Sequence, residues 1–446
     1  MKQFQIFLKV ILLFFLLIFI SNYVFADDLS PSDDIFDISE ILNDIDSIET
    51  NSNTTQLPNI NSRAYVVIDR KSNTILIGKN ENQRKKMAST TKIMTALVVI
   101  EHCNLSDTVE ISKKSASTGG SRLGLKSGDK ITVSDLLYGL MMRSGNDAAV
   151  ALAEHVAGSI SNFANLMNEK AKSLGLSNTH FVTPHGLDED EHYTTAYELA
   201  VLSNYAMNNE IFAKIVGTKN YTITINGYPK TLTNTNELLG VLHGVYGIKT
   251  GFTNGANRCL VTCCKRGDMD IICVVLGADT KKYRTTDSIK LIEYAFQNFI
   301  YVNIEEIISN HFETWKKENL SNITITKSSS NYLDLTYEKI PYSPIPVRSD
   351  LINHFQVYIN YVPNLNAPIA KGTSIGTITL KLEEKTIYSG NILIDTNIEC
   401  KNIFDYLYDF CQNFSNIFNH ILQIWNLYNI LIEIHYYIIE YIWIWH

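Results

Sequence analysis

From Ile93 to Ile100 the chain is apolar at every position except Thr95, and just ahead of that run stand Ser89 and Lys92. A helix apolar on all sides has to be buried, so whatever begins it is carried toward the interior. Serine and lysine three residues apart on a helix stack on one face, about one turn from each other. A hydroxyl becomes a nucleophile beside a base, and an amine one turn away can be that base. Lysine keeps its proton at neutral pH unless it is desolvated or set near another cation. The apolar run supplies the desolvation. Alone the pair is a weak signal, because Ser127-Gly128-Asp129-Lys130 repeats the spacing in what reads as a turn.

The rest of the chain divides by composition. Residues 1–26 have the form of a secretory signal, with Lys2 and Lys9, a nearly unbroken apolar stretch from Val10 to Ile20, and Val24-Phe25-Ala26 as a cleavage site. A retained membrane anchor is the other reading of the same stretch; under either, the chain is exported. Residues 27–61 are acidic and polar and read as a flexible linker. The 446 residues suit two or three domains, and 45% hydrophobic content is ample for a packed core. A net charge of −8 argues against nucleic acid as a partner. The seven cysteines form no spaced CxxC pairs, so no zinc site is expected, and Cys259, Cys263, Cys264 and Cys273 read as small buried thiols.

Residues 62–300 predict one α+β domain. Ala64 to Ile68 and Thr74 to Ile77 form a hairpin. The helix beginning near Ser89 follows. Thr132-Val133-Ser134-Asp135 resembles a capping box opening a second helix. A polar break, Arg143-Ser144-Gly145-Asn146, separates it from a third helix, Asp147 to Ala157. Further helices are expected over 160–174 and 195–208, strands over 221–225, 247–253, 258–264 and 270–276, and a closing helix over 286–299. That order gives a helical region packed on an antiparallel sheet. Residues 301–397 read as a small all-β domain, a spacer or docking module. In the tail, 398–446, Asn416, Asn419, His420, Gln423 and Asn426 recur every three or four residues, opposite an apolar, aromatic face. Such an amphipathic helix associates with a membrane surface. Its polar residues interrupt any apolar run of spanning length.

A third element completes the chemistry. Lys249 offers a fixed positive charge to a carboxylate, Thr250 a hydroxyl beside it, and Gly251 lets a substrate backbone lie against the strand. Ser144 can pass a proton between Ser89 and a leaving amine, and Asn146 can hold a substrate amide. Each motif recurs by chance; Ser389-Gly390-Asn391 repeats the second. Only one set falls in the order Ser-x-x-Lys, Ser-Gly-Asn, Lys-Thr-Gly, a set found in serine β-lactamases and penicillin-binding proteins.

With Ala88-Ser89-Thr90-Thr91-Lys92, Ser144-Gly145-Asn146-Asp147-Ala148-Ala149, Pro184-His185-Gly186-Leu187-Asp188 and Gly247-Ile248-Lys249-Thr250-Gly251-Phe252-Thr253, the stretch from Arg63 to Phe299 resembles the low-molecular-mass penicillin-binding proteins that are D-alanyl-D-alanine carboxypeptidases. The resemblance implies the β-lactamase/transpeptidase-like fold. It also implies that Ser89 attacks the carbonyl between the last two D-alanines of a peptidoglycan stem pentapeptide, with Lys92 as base and Ser144 in the proton relay. Asn146, Lys249, Thr250 and Gly251 would bind substrate, and the backbone N–H groups of Ser89 and Phe252 would form the oxyanion hole. β-Lactams would acylate Ser89. No metal or organic cofactor is implied, and the place of action would be the outer face of the cytoplasmic membrane. His185 and Arg284 lie in family-like stretches and read as structural. A β-lactamase, a D,D-endopeptidase and a non-catalytic wall-binding protein are the alternatives; the first needs a deacylating carboxylate, for which Glu189, Asp190 and Glu191 lie in the right interval without the expected motif.

Overall fold

The computed structural model describes residues 38, 39, 41, 56–330 and 332–444. The expected signal sequence and most of the expected linker lie outside them. The described chain groups into two units, one running to Val302 and including Ile345–Asp350, the other comprising Asn303–Pro344 and the residues from Leu351 onward.

The first unit opens with the hairpin β1 (Ala64–Asp69) and β2 (Ile75–Lys79). A 3-10 turn, Ala88–Thr91, leads into α1 (Lys92–His102). Then come β3 (Thr108–Glu110), α2 (Lys113–Ala116), β4 (Lys130–Thr132), α3 (Val133–Met142), α4 (Asn146–Ala157) and α5 (Ile160–Ser173). Next are α6 (Ala196–Met207), α7 (Glu210–Val216) and the hairpin β5 (Asn220–Ile225) and β6 (Tyr228–Thr233). The chain continues through β7 (Val245–Thr253), β8 (Asn257–Arg266), β9 (Met269–Ala278), α8 (Lys281–Asn298) and β10 (Phe299–Val302). One antiparallel sheet, in the order β2-β1-β9-β8-β7, organises the unit.

Both faces of that sheet are covered, so its central strands are apolar at consecutive positions rather than alternating ones. All of β1 is buried. Val66, Ile68, Val274 and Val261 enter a core shared with the helices α1 and α3 to α6. Tyr65, Val67, Val275 and Leu260 enter a second core with α8. Each fully buried aliphatic side chain of this kind contributes about 1.5–3 kcal/mol, and α1 is buried deeply, with Ile93, Met94, Leu97 and Val98 at 0–1% exposure. The expected cap of α3 forms, with Thr132 Oγ1 accepting from the Asp135 N–H at 3.1 Å. The structure departs from expectation at α1. Ser89 stands in the 3-10 turn, and the α-helix starts only at Lys92. The strand β5 was expected, but its partner β6, the paired strands β3 and β4 and the helices α2 and α7 were not.

The four clustered cysteines are buried. Burial pushes the Cys263 and Cys273 thiols up and the Cys264 thiol up to about 12, so these three stay protonated and act as small apolar groups.

In the second unit α9 (Ile304–Asn319) precedes β11 (Thr324–Thr326) and β12 (Leu335–Tyr337). The strand β13 (Ile345–Arg348) pairs with β10 and belongs to the first unit. Then follow β14 (Phe355–Tyr361), β15 (Asn364–Asn366), β16 (Ser374–Leu382), β17 (Lys385–Ile394) and α10 (Ile403–Ile444). The sheet runs β12-β17-β16-β14. The helix α9 is the correction here, since the sequence from residue 303 reads as strands. Its signal was present: Ile304, Ile308 and Phe312, four apart, form the buried stripe, and Asn303 caps it by accepting from Glu306 N–H at 3.3 Å. In α10 the large apolar side chains as far as Tyr441 are exposed. Among the described residues no helix is long and apolar enough to cross a membrane.

Candidate active site

Four segments meet at the start of α1. Lys92 is fully buried. Its Nζ donates to Ser89 Oγ at 2.8 Å, to Asn146 Oδ1 at 2.7 Å and to the His185 carbonyl at 2.9 Å. Ser89 retains 9% exposure, so the hydroxyl is reachable while the amine behind it is not. The preceding residue, Ala88, has φ 49°, a left-handed conformation that non-glycine residues adopt at a cost and mostly at functional turns.

Asn146, at the head of α4, is fixed from its other side. Its Nδ2 donates to the Gly119 carbonyl at 2.7 Å, and its backbone N–H to the Ser121 carbonyl at 2.8 Å. Asp147 follows, wholly buried, and accepts from the N–H groups of Leu123 and Gly124 at 2.8 Å and of Leu125 at 3.0 Å. A carboxylate in the first turn of a helix is also favoured by the helix dipole. Asp147 therefore pins the 119–125 loop against the residue that contacts Lys92. Ser144 is buried with φ 56°. Among the described residues its Oγ has no hydrogen-bond partner.

The strand β7 brings the third motif. A Cβ added at Gly251 would lie 3.1 Å from the Ser89 nitrogen and 3.2 Å from that of Thr90, so any side chain there would push the strand and the turn apart by a few tenths of an ångström. Lys249 is buried, with Nζ donating to the Thr250 carbonyl at 2.8 Å. Thr250 Oγ1 lies 2.9 Å from Thr235 Oγ1. Phe252 is half-buried, with the Arg258 guanidinium 3.8 Å from its ring centre. Beyond it, Thr253 Oγ1 and the Gly255 N–H donate to the two oxygens of Asp188 at 2.7 and 2.9 Å.

Asp188 belongs to the fourth segment, residues 183–192. His185 contributes its carbonyl to Lys92, and its ring Nδ1 accepts from the Leu187 N–H at 3.2 Å. Burial first, then the neighbouring Lys92, lowers its imidazole to about 3. His192 Nδ1 accepts from the Val182 N–H at 3.0 Å, which leaves the proton on Nε2. Nε2 lies 2.7 Å from Thr91 Oγ1, and that hydroxyl donates to the Ala88 carbonyl at 2.8 Å. A neutral histidine thus braces the turn holding Ser89; burial, with His180 and Lys86, lowers it to about 3. Arg284 is buried against Glu237.

Of the residues singled out in the sequence, Ser89, Lys92 and Asn146 are in direct contact, Gly251 abuts Ser89, and Ser144 lies in the loop leading to Asn146. Lys249, Thr250 and Phe252 share the strand with Gly251. His192 carried no signal in the sequence, since its partner is 101 residues away. Asp147 and Asp188 stood in recognised stretches without an assigned role.

A buried lysine on a serine one turn away, an asparagine fixed at a helix head, and a Lys-Thr-Gly strand along the edge of an antiparallel sheet define an active-site-serine peptidase of the acyl-enzyme type. A model for D-alanyl-D-alanine carboxypeptidases matches residues 51–280, and one for the C-terminal domain of penicillin-binding protein 5 matches residues 314–400. The chain is 35% identical to D-alanyl-D-alanine carboxypeptidase DacF of Bacillus subtilis, over 76% of this chain and 85% of that one. It is 34% identical to DacC of Escherichia coli, over 80% and 89%. Among solved structures, D-alanyl-D-alanine carboxypeptidase DacD from Francisella tularensis superposes with TM-score 0.63 at 26% identity, covering 78% of this chain and 96% of that one. The Streptomyces K15 DD-transpeptidase superposes with TM-score 0.52 at 36% identity, covering 54% and 99%. The chain belongs to the D-alanyl-D-alanine carboxypeptidase family.

Proposed function

We propose that this chain is a serine-type D-Ala-D-Ala carboxypeptidase that trims the terminal D-alanine from peptidoglycan stem pentapeptides. The observation that carries the reading is the 2.8 Å contact between Lys92 Nζ and Ser89 Oγ, with the lysine fully buried and the serine retaining 9% exposure. Ser89 Oγ attacks the carbonyl between the last two residues, and its proton passes to Lys92, which enters this step as the neutral amine with its lone pair accepting from the Ser89 O–H. The oxyanion is held by the backbone N–H groups of Ser89 and Phe252, an interaction that in acyl transfer is often the largest single stabilisation; the close approach at Gly251 supports it. Ser144, whose buried hydroxyl has no partner among the described residues, relays the proton from Lys92 to the departing amine as the C–N bond breaks. Lys249 and Thr250 hold the terminal carboxylate, and Asn146 holds both Lys92 and a substrate amide. Water then attacks the acyl-enzyme by the reverse proton path, releasing the shortened peptide. The steps need no metal or organic cofactor. β-Lactams acylate the same serine.

The domain roles follow. Residues 62–300 are the catalytic domain, 301–397 a β-rich spacer, and 398–446 a membrane-associating tail. Exposed apolar side chains along α10 support the last assignment. The enzyme would act outside the cytoplasmic membrane. A β-lactamase would need a carboxylate trained on the acyl-enzyme; Glu189, Asp190 and Glu191 are instead exposed, which favours the carboxypeptidase.

The test is release of D-alanine from a peptide ending in D-Ala-D-Ala by the full chain in mild detergent. Release that Ser89→Ala abolishes, with the fold retained by circular dichroism, is the expected result. A folded wild-type chain that releases none would sink the reading.

A further inference from the structure

The sheet of the second unit ends at β14, and among the described residues no strand pairs with its outer side. Natural sheets guard such an edge with charge, proline, a bulge or shortness. β14 has none of these. Phe355-Gln356-Val357-Tyr358-Ile359-Asn360-Tyr361 is seven residues long and carries no charge and no proline. Its register with β16 is unbroken from Phe355 to Tyr361. The opposite edge, β12, has only three residues.

The strand is also a palindrome in chemical class: aromatic, amide, β-branched, tyrosine, β-branched, amide, aromatic. We propose that β14 is a self-pairing edge, at which two copies of this chain join antiparallel across a two-fold axis through Tyr358. In that register Val357 faces the second copy's Ile359, Gln356 faces its Asn360, Phe355 faces its Tyr361, and Tyr358 faces itself. Aromatic and β-branched cross-strand pairs are stabilising ones, and no like charges meet. An isologous contact of this kind closes at two copies.

The backbone is set for it. Val362 N–H donates to the Ile375 carbonyl at 2.8 Å, one step beyond the Tyr361–Gly376 pair. Backbone direction alternates along an antiparallel strand, so Gln356, Tyr358 and Asn360 turn their N–H and C=O groups toward β16. Phe355, Val357, Ile359 and Tyr361 turn theirs to the open edge. The proposed pairs Val357–Ile359 and Phe355–Tyr361 are then the hydrogen-bonded ones. Tyr358–Tyr358 becomes a non-hydrogen-bonded pair, where side chains come closest. On the inner face Val357 and Ile359 line, with Asn310, Thr314 and Trp315, a groove of about 440 Å³ between β14 and α9. The second copy's β-branched residues would extend the strand side of that groove, whose helix side also carries His311 and Glu318. An extended segment of some other protein could also add to the edge, but it would not share the palindrome.

Cross-linking in the full chain in detergent tests this, with Cys103, Cys400 and Cys411 replaced by serine. Tyr358→Cys places two thiols across the axis at about 4.5–5.5 Å between Cβ atoms, and mild oxidation is expected to convert most of the chain to a disulfide-linked dimer. Gln356→Cys alone should not cross-link, since its two copies stand roughly 14 Å apart, four residues of strand. Mixed with Asn360→Cys it should. No dimer from Tyr358→Cys, or equal cross-linking by Gln356→Cys alone, overturns the proposal. As a second measurement, Tyr358→Lys sets two cations face to face on an exposed surface. Its dimer fraction by sedimentation should fall at least tenfold, with D-alanine release unchanged. A dimer that survives this substitution is held elsewhere, for example by α10, and refutes pairing at β14.

Discussion

Gly186→Ala should damage the site without touching a reacting group. Gly186 has φ +86°, and a Cβ there would stand 1.9 Å from the Ala88 carbonyl oxygen and 2.6 Å from Thr91 Oγ1. Real Cβ atoms essentially never come within 3.0 Å, so the two segments must separate by roughly 1 Å. Either the turn carrying Ser89 moves or the loop carrying the His185 carbonyl does, and both set the position of Lys92 against Ser89. A misplacement of about 1 Å can cost about 10²-fold in rate, so kcat/KM for D-alanine release should fall about that far. The left-handed backbone adds a cost of about 1–2 kcal/mol, lowering Tm by roughly 2–8 °C at this domain size. Gly175→Ala is the control. It has φ +73° with nothing within 4 Å of the added Cβ, so it should lose similar stability and keep its turnover. If Gly186→Ala stays within threefold of wild type, or Gly175→Ala loses activity equally, then the close approach does not position the nucleophile.

Ser144→Ala removes a buried hydroxyl with no partner in the resting site. Leaving such a group unpaired costs about 1–3 kcal/mol, so the variant should melt no lower than wild type while D-alanine release falls at least 10²-fold; a lower Tm with activity kept would refute the relay role. His192 is lowered to about 3 in the fold, against about 6.5 when exposed. The unfolded chain therefore takes the proton first, and stability is lost as pH falls from about 6.5 toward 3. At pH 5 the share of this histidine is about 2 kcal/mol. His192→Gln should accordingly narrow the Tm difference between pH 7 and pH 5 by roughly 4–8 °C, and an unchanged difference contradicts the assignment. In Asp147→Asn an amide N–H₂ replaces an oxygen that accepts backbone N–H groups of the 119–125 loop. Each lost charge-assisted bond is worth about 1.5–3 kcal/mol, so Tm should drop by at least about 5 °C, which differential scanning calorimetry would show.

What could be read from the chain is whatever is local or periodic. Ser89 and Lys92 announce themselves by spacing and by the apolar run behind them. Thr132 and Asp135 mark the start of α3, and the consecutive apolar residues of β8 and β9 mark strands covered on both faces. His192 is invisible in this sense, because its meaning comes from Thr91, brought beside it only by the tertiary fold. The left-handed turns at Ala88 and Ser144 are hidden for a related reason: alanine and serine carry no signal of a strained backbone as glycine does. The helix α9 is a different case. Its apolar stripe, with Ile304, Ile308 and Phe312 spaced four apart, was legible, but the β-branched segments that follow it dominate the composition of the region.

The contacts around Lys92 also make the site a reporter. Lys92 reaches Asn146 across 54 positions of sequence and the His185 carbonyl across 93. Gly251 arrives from further still. No fragment of the chain and no locally ordered intermediate holds all of these at once, because each long closure carries its own entropic cost until the whole is assembled. Reactivity at Ser89 should therefore vanish in a single step with global unfolding, leaving no partly active state. A fluorescent β-lactam that acylates Ser89 would then count natively assembled molecules one by one, and its labelling curve in urea would trace the folding equilibrium of the first unit.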